Sequence, residues 1–287
     1  MYDLWFAIRF ILLFIFFSSF NALVTSADVK SESSCNELNC NEAKRTWDHA
    51  QVYIPSSPFI KKISMFELHK QMKAYKGDPL PVAIYLHGCS GFWAGSDIRG
   101  FFLAELGLVV IAPNSFAREY KPVSCIPNQF RGGLHRGTLA LRQEEASYAI
   151  SQASDLPWVD KDNILLIGFS EGGITTAKLT KPKKVKLKSR IIEGWGCHSP
   201  WHEYAGLNSA GEEPVLSLVA DRDPWFAIPS LRGACGKFMK NKMSKSLVYS
   251  KGALSYSHSL LDKEAPQKAL ESFICKYLIC GRKIPID

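Results

Sequence analysis

Apolar runs of strand length alternate along this chain with segments of helical periodicity. The predicted strands are Val82–Leu86, Val109–Ala112, Ile164–Gly168, Arg190–Trp195, Val215–Ala220 and Ser246–Tyr249. The predicted helices are Asp97–Leu106, Thr138–Ser154, Gly172–Leu179 and Lys263–Tyr277, with a further segment around Pro229–Lys240. Strands that are apolar on both faces and alternate with helices are typical of a mostly parallel sheet covered on both sides. We therefore predict a doubly wound α/β fold.

The N-terminal run Phe10–Val24 is apolar throughout, follows Arg9 and precedes the small residues up to Ala27. This layout is typical of a secretory signal peptide. An uncleaved membrane anchor is the alternative, because extension back to Leu4 approaches the ~20 residues of a membrane span, although it then includes Arg9. We predict a secreted or periplasmic protein with no stable membrane span after signal removal. The predicted organisation is a signal peptide over residues 1–27, an N-terminal arm over 28–50 and the α/β domain over 51–287.

The chain has 35 Lys and Arg against 27 Asp and Glu, which gives a net charge of +8. Much of this excess lies in Lys178–Arg190 (KLTKPKKVKLKSR). Such a segment can bind an anionic surface, or it can form a solvated loop after a helix. No aromatic residues are interleaved with the lysines, so we favour the loop and expect no nucleic-acid partner.

A serine stands between glycines at the end of one predicted strand. The segment Gly168–Gly173 (GFSEGG) directly follows the apolar run Ile164–Ile167. A nucleophile elbow has this pattern, because its turn is so sharp that only glycine fits beside the serine. The alternative is an ordinary turn in which Ser170 caps the next helix.

Polar residues that suit a catalytic triad follow two other predicted strands. Asp221 and Asp223 follow Val215–Ala220, and His258 follows the last predicted strand. The chain order Ser, Asp, His is that of an α/β-hydrolase. We predict that Ser170 is the nucleophile, that His258 is its general base and that a buried carboxylate orients the histidine.

Asp223 is the predicted acid rather than Asp221. The proline at Pro224 restricts Asp223 to an extended conformation, whereas Asp221 stands where a turn-initiating Asp accepts hydrogen bonds from its own loop. The backbone N–H groups of Glu171 and Cys89 are the predicted oxyanion hole. This chemistry needs no cofactor and no metal.

Five segments together resemble the dienelactone hydrolase branch of the α/β-hydrolases, in particular its exported bacterial members. They are Tyr85–Gly91, Pro113–Arg118, Gly168–Gly173, Asp223-Pro224 and His258. The resemblance covers about residues 80 to 280, and it also implies that the acid stands immediately before the proline. Dienelactone hydrolase itself uses a cysteine nucleophile, whereas this elbow carries Ser170. The resemblance therefore implies acyl transfer to water but not dienelactone as the substrate. No large cap domain is expected, because only Gly196–Pro214 separates the two strands before the acid.

The eight cysteines predict disulfides in an exported chain. Zinc binding is the alternative for the two C-x₄-C pairs, but their spacing is loose and no histidine pair stands nearby. Cys89 and Cys125 both follow strands at one edge of the sheet, and Cys197 and Cys235 flank the strand before the acid. The hypothesised bridges are Cys89–Cys125, Cys197–Cys235, Cys35–Cys40 and Cys275–Cys280.

These observations predict an exported serine hydrolase that acts on small-molecule or polymeric carboxylic esters. A peptidase or amidase can use the same triad. A non-catalytic binding protein of the same fold is the third hypothesis, although a pure binder has no need of all three triad residues. The substrate-binding residues and the oligomeric state are not predicted.

Overall fold

The computed structural model describes residues 37–180, 184–276, 278, 280 and 281. The predicted signal peptide and the side chains of the predicted Cys35–Cys40 bridge lie outside this set. The helices are α1 (Glu37–Asp48), α2 (Met65–Met72), α3 (Ala94–Glu105), α4 (Thr138–Asp155), α5 (Glu171–Lys178) and α6 (Glu264–Ile274). The strands are β1 (Gln51–Ile54), β2 (Lys61–Ser64), β3 (Leu80–Leu86), β4 (Val109–Ala112), β5 (Cys125–Ile126), β6 (Arg131–Gly132), β7 (Val159–Phe169), β8 (Ser189–Glu193), β9 (Val215–Ala220) and β10 (Lys245–Tyr249).

Eight strands form one sheet in the order β10-β9-β8-β7-β3-β4-β1-β2. The six strands from β10 to β4 are parallel, and β1 and β2 are antiparallel to their neighbours. The predicted mostly parallel α/β sheet is therefore confirmed. Because the parallel strands share one direction, their carboxyl ends form a single edge, where ligands bind in open α/β sheets.

The inner parallel strands of the sheet are buried on both faces, as their apolar sequences predict. In β3, Val82, Ile84 and Leu86 pack in the core on one face, and Ala83 and Tyr85 pack in the core on the other. This division follows from the two-residue period of side chains along a strand. The two cores fix the central strands, and with them the loops at their carboxyl ends.

The segment between the predicted arm and β3 contains elements that the apolar pattern did not indicate. Strands β1 and β2 have four residues each, and β2 is largely exposed, so neither forms an apolar run. Helix α2 begins at a capping box between Ser64 and Glu67. Within the predicted arm, residues 37–48 form α1, which packs against α4.

The remaining differences concern segments after α5. The predicted basic loop ends in Arg190, which lies in β8, is fully buried and pairs with Glu213 at 2.7 Å. The expectation of a solvated loop is wrong for this residue, because its Nε donates to a carboxylate and its Nη1 donates to two backbone carbonyls. The segment around Pro229–Lys240 forms two short 3₁₀ helices. The connection from β8 to β9 contains only turns, so no cap domain is inserted there.

Candidate active site

Ser170 lies at the sharp turn between β7 and α5. Its backbone has φ 56° and ψ −117°, a region that non-glycine residues rarely adopt. The flanking glycines make this turn possible. A side chain at Gly172 would collide with the carbonyl of Leu86, and one at Gly168 would collide with the backbone of Gly172. The geometry is that of a nucleophile elbow, which holds the serine side chain above the edge of the sheet.

The structure brings Ser170, His258 and Asp223 together from three loops. The Ser170 hydroxyl donates to His258 Nε2 at 2.8 Å, and His258 Nδ1 donates to Asp223 Oδ2 at 2.6 Å. The imidazole stacks on Trp225, with ring centres 5.1 Å apart and planes at 24°. The carboxylate is 1% exposed, and the histidine side chain is 13% exposed. The histidine is therefore oriented from one side and open to the serine on the other.

The two candidate acids have different positions. Asp223 uses one oxygen for His258 and the other to accept the Trp225 backbone N–H at 3.0 Å, which caps the following 3₁₀ helix. Asp221 is exposed, and its backbone N–H donates to the Tyr249 carbonyl at 3.2 Å. The carboxylate that lies against the histidine is that of Asp223.

The two candidate oxyanion donors line the same cavity as Ser170 and His258. Glu171 is the first residue of α5, and the backbone N–H groups of a first helical turn have no acceptor within the helix. Cys89 follows β3 in a loop that a disulfide bond ties to Cys125. Burial raises the pKa of the Glu171 side chain, which the Arg142 guanidinium partly offsets.

The loop that carries Cys89 is supported from below by a buried group that we call the Arg142 cluster: His87, Ser115, Arg118, Arg142 and Glu145. His87 Nδ1 donates to the Gly88 carbonyl at 2.7 Å, and Nε2 accepts the Ser115 backbone N–H at 3.2 Å. Burial and the neighbouring Arg142 hold the pKa of His87 well below its ordinary value, so the ring is neutral. Arg142 donates to the His87 carbonyl at 2.6 Å and to the Ser115 hydroxyl.

A second buried group, the Arg99 cluster, consists of Arg99, Glu193 and Asp262. Arg99 donates to both Glu193 oxygens, at 2.7 and 2.5 Å, and to Asp262 at 2.6 Å. The Glu193 carboxylate also accepts the backbone N–H of Leu261 at 2.7 Å. Leu261 lies three residues after His258. The Glu193 carbonyl accepts the Ser170 backbone N–H at 2.8 Å. Glu193 therefore connects the loops of the serine and the histidine.

Two cavities open beside Ser170 and His258. The larger has a volume of about 760 Å³ and walls rich in aromatic side chains. The smaller has a volume of about 260 Å³ and lies on the side of Trp93 and Phe169. Cys89 and Trp225 border both cavities, so the serine stands where they meet.

Three of the hypothesised disulfides are present: Cys89–Cys125, Cys197–Cys235 and Cys275–Cys280. The first two join loops at the edge that carries the site.

Within the described ranges, no group of three or more His, Cys, Asp or Glu side chains could hold a metal ion. None of the helices in this part of the chain is long and apolar enough to cross a membrane.

Neither a family model nor a curated protein sequence matches the chain. Solved structures do. The acetyl xylan esterase of Paenibacillus sp. R4 is 16% identical with a TM-score of 0.52, over 85% of this chain and 95% of that one. A protein of Klebsiella pneumoniae subsp. pneumoniae assigned as a dienelactone hydrolase is 18% identical with a TM-score of 0.51, over 79% of this chain and 98% of that one. The chain has the α/β-hydrolase fold. At these identities the likeness shows the fold alone.

The α/β-hydrolase motifs in the sequence led to the serine, histidine and aspartate, but sequence analysis missed Arg99, Arg142 and Glu193. Both arginines lie on helices, where a charged residue is normally assigned to the solvent face. Glu193 offered a signal, because it directly follows the apolar pair Ile191-Ile192 inside a predicted strand. A charge at such a position is rarely buried without a partner.

Proposed function

We propose that the protein is a serine hydrolase that cleaves carboxylic esters through an acyl-enzyme. The observation that carries the proposal is the chain of two hydrogen bonds, Ser170 to His258 at 2.8 Å and His258 to Asp223 at 2.6 Å, at the meeting point of two open cavities. A non-catalytic binding protein would have no use for a serine in a costly backbone conformation and already hydrogen-bonded to a base.

The proposed reaction has two halves. His258 Nε2 takes the hydroxyl proton while Ser170 Oγ attacks the ester carbonyl, and the backbone N–H groups of Glu171 and Cys89 bind the oxyanion. The imidazolium returns the proton to the departing alcohol, which leaves the acyl group on the serine. Water then attacks this acyl-enzyme while His258 Nε2 takes a proton from it, and the imidazolium returns this proton to Ser170 Oγ as the carboxylic acid leaves. Asp223 holds the imidazole in the required tautomer throughout.

Esters are favoured over amides by the solved structures of similar fold, one of which is an acetyl xylan esterase. A direct test compares p-nitrophenyl esters with the corresponding p-nitroanilides. We expect ester hydrolysis to exceed anilide hydrolysis, with both abolished by Ser170→Ala. Faster anilide hydrolysis would instead identify a peptidase or amidase.

Covalent labelling tests the nucleophile independently of the substrate. A fluorophosphonate probe should attach to Ser170 in the folded protein, and mass spectrometry of the labelled peptide would identify the site. Failure of the folded protein to react would contradict the proposed catalytic serine.

The acid has a matched control in the same loop. Asp223→Asn should leave the fold intact and lower kcat by up to ~10⁴, because the histidine is then held in the wrong tautomer. Asp221→Asn should keep kcat, because its carboxyl group is exposed and does not lie against the histidine. If Asp223→Asn keeps its activity and Asp221→Asn loses it, the assignment of the acid is wrong.

We also propose that residues 1–27 are a signal peptide and that the mature chain acts outside the cytoplasm. Three disulfides support an oxidising compartment. N-terminal sequencing of the exported protein should find a new terminus near residue 28. A chain that retains Met1 and stays in the membrane fraction would instead indicate an anchor.

A further inference from the structure

The two cavities beside Ser170 differ about threefold in volume, at about 760 and 260 Å³. An ester has two arms, one on each side of the carbonyl carbon that the serine attacks. Because Ser170 and His258 border both cavities, a bound ester places one arm in each. The volumes therefore limit the two arms to different sizes.

The large cavity is walled by aromatic rings that lock one another in place. Three edge-to-face pairs contribute: Phe130 with Trp225, Trp195 with Phe226 and Trp201 with Tyr204, with ring centres 5.8 to 6.1 Å apart. The Cys197–Cys235 bridge fixes the loops that follow Trp195. A preformed aromatic cavity favours a flat apolar group, which gains contact area without ordering the protein.

The ionisable side chains of Glu171 and Arg131 both line this cavity. Burial raises the pKa of the Glu171 carboxyl group. Arg136, near Trp201, is already paired with Glu203. Because a carboxyl group and a guanidinium both border the cavity, its aromatic walls rather than its charges select the bound arm.

The small cavity is bordered by bulky side chains. Trp93, Phe169 and Trp225 form its walls together with the loop Gly88–Gly91. The Trp93 ring lies 6.3 Å from that of Phe169, and Trp93 is 43% exposed. This exposed indole therefore limits the size of the second arm, and it can be truncated without opening the core.

We infer that the protein hydrolyses unsymmetrical esters, with one bulky aromatic arm in the large cavity and one short arm in the small cavity. This inference rests on the proposed function, because it needs an attack by Ser170. An ester with two bulky arms does not fit, and an ester with two short arms leaves the aromatic cavity empty.

Matched esters test the size rule in both orientations. p-Nitrophenyl acetate and methyl 3-phenylpropanoate each carry one aromatic and one short arm, p-nitrophenyl 3-phenylpropanoate carries two aromatic arms, and ethyl acetate carries none. Rates are divided by those of alkaline hydrolysis to remove differences in intrinsic reactivity. We expect kcat/KM for at least one unsymmetrical ester to exceed that of the other two classes about tenfold or more. Equal values for the singly and doubly aromatic esters would overturn the inference.

A variant then tests the wall of the small cavity. Trp93→Ala should raise the ratio of kcat/KM for the doubly aromatic ester to that for p-nitrophenyl acetate about tenfold. Phe66→Ala is the control, because Phe66 is an exposed aromatic residue on α2 that borders neither cavity. An unchanged ratio in Trp93→Ala would overturn the assignment of the small cavity.

Failure of the inference and failure of the proposed function give different results. If the fluorophosphonate probe labels Ser170 and the esters are cleaved without regard to size, the two-cavity rule is wrong and the hydrolase proposal stands. If the folded protein neither reacts with the probe nor cleaves any ester, the proposed function is wrong and the inference falls with it.

Discussion

The Arg99 and Arg142 clusters hold opposite sides of the same candidate site in different ways. The Arg99 cluster has two carboxylates for one guanidinium, and its central pair is bidentate. The Arg142 cluster has two guanidiniums around one fully buried carboxylate, that of Glu145, and Arg118 also pairs with Glu144 at 3.8 Å. Within the described residues, Nε of both Arg118 and Arg142 and Oε2 of Glu145 are buried without a hydrogen bond.

The two clusters therefore differ in how closely their ions are held. The Arg99 cluster satisfies its buried ions with close, directional hydrogen bonds and fixes the backbone next to Ser170 and after His258. The ion pairs of the Arg142 cluster are longer, at 3.2 to 3.8 Å, and Arg142 donates to the His87 carbonyl beneath the loop that carries Cys89. We expect the first cluster to contribute more to stability and the second to contribute more to transition-state stabilisation at the oxyanion.

The largest expected effect is on stability, in Glu193→Gln. This change leaves Arg99 buried opposite a neutral amide, and we expect it to lower the free energy of unfolding by about 3–5 kcal/mol. Urea denaturation measures the loss. Glu213→Gln breaks another buried pair, with Arg190, and should cost a similar amount.

Only the Glu193 change should also slow the reaction of the folded protein with a fluorophosphonate, because the Glu213 carboxylate bonds to Arg190 and Ala210 rather than to the segments around Ser170 and His258. A loss below about 1 kcal/mol in Glu193→Gln would refute the stabilising role of the Arg99 cluster.

The next effect is expected in Arg142→Lys, which keeps the charge but loses the planar set of donors. We expect a loss of about 1–3 kcal/mol in stability. Loosening of the Cys89 loop should lower kcat for p-nitrophenyl acetate. The decrease should approach the ~10²–10³-fold that is typical when one oxyanion donor is removed. Arg118→Lys is the control, because Arg118 shares Glu145 but is not bonded to His87. Equal decreases in kcat in the two variants would show that Arg142 does not act on the reaction through the Cys89 loop.

A smaller effect, on pH dependence, is expected only in the Arg142 cluster. The native pKa of His87 lies well below its ordinary value of about 6.5, so the unfolded chain binds a proton that the native chain does not. The stability contribution of His87 is therefore fully present above pH ~6.5 and is lost as the pH falls toward the native pKa. His87→Gln should have a shallower loss of stability between pH 7 and 5 than the unchanged protein. Parallel curves for the two proteins would contradict a neutral buried His87.

The smallest effect is expected in Asp262→Asn. The side chain of Asp262 is 19% exposed, and Arg99 keeps its bidentate partner and the Gly95 carbonyl after the change. We expect a loss of about 1 kcal/mol in denaturant unfolding, with unchanged kinetics. If Asp262→Asn lowered the free energy of unfolding as much as Glu193→Gln, the two carboxylates would contribute equally to the stability of the cluster.

The sequence was sufficient for elements with a continuous apolar pattern. The predicted bounds of Val109–Ala112 and Val215–Ala220 agree with the structure, because both strands are buried on both faces. The elbow and the order of Ser170, Asp223 and His258 followed from short local motifs. Strand β1 was missed because it has only four residues, and β2 was missed because it is equally short and largely exposed.

The supporting ions and the cavity walls could not be predicted, because their partners are remote in sequence. Arg99 and Glu193 are 94 residues apart, and Arg142 and His87 are 55 apart. Such a charge is buried only if its helix packs against a particular strand. This arrangement depends on the packing of the whole sheet. The aromatic rings of the large cavity likewise come from separate loops.

The antiparallel end of the sheet bears on how the protein behaves at high concentration. Among the described residues β2 is the outermost strand there, and it carries Lys61 and Lys62, both exposed. An outer strand with unpaired backbone groups can pair with the same strand of another molecule, and lysines oppose this by charge repulsion and bulk. Lys62 is also paired with Asp97 on α3. A neighbouring molecule that paired with β2 would have to accommodate these long side chains along the whole strand. The strand therefore discourages self-association by this route.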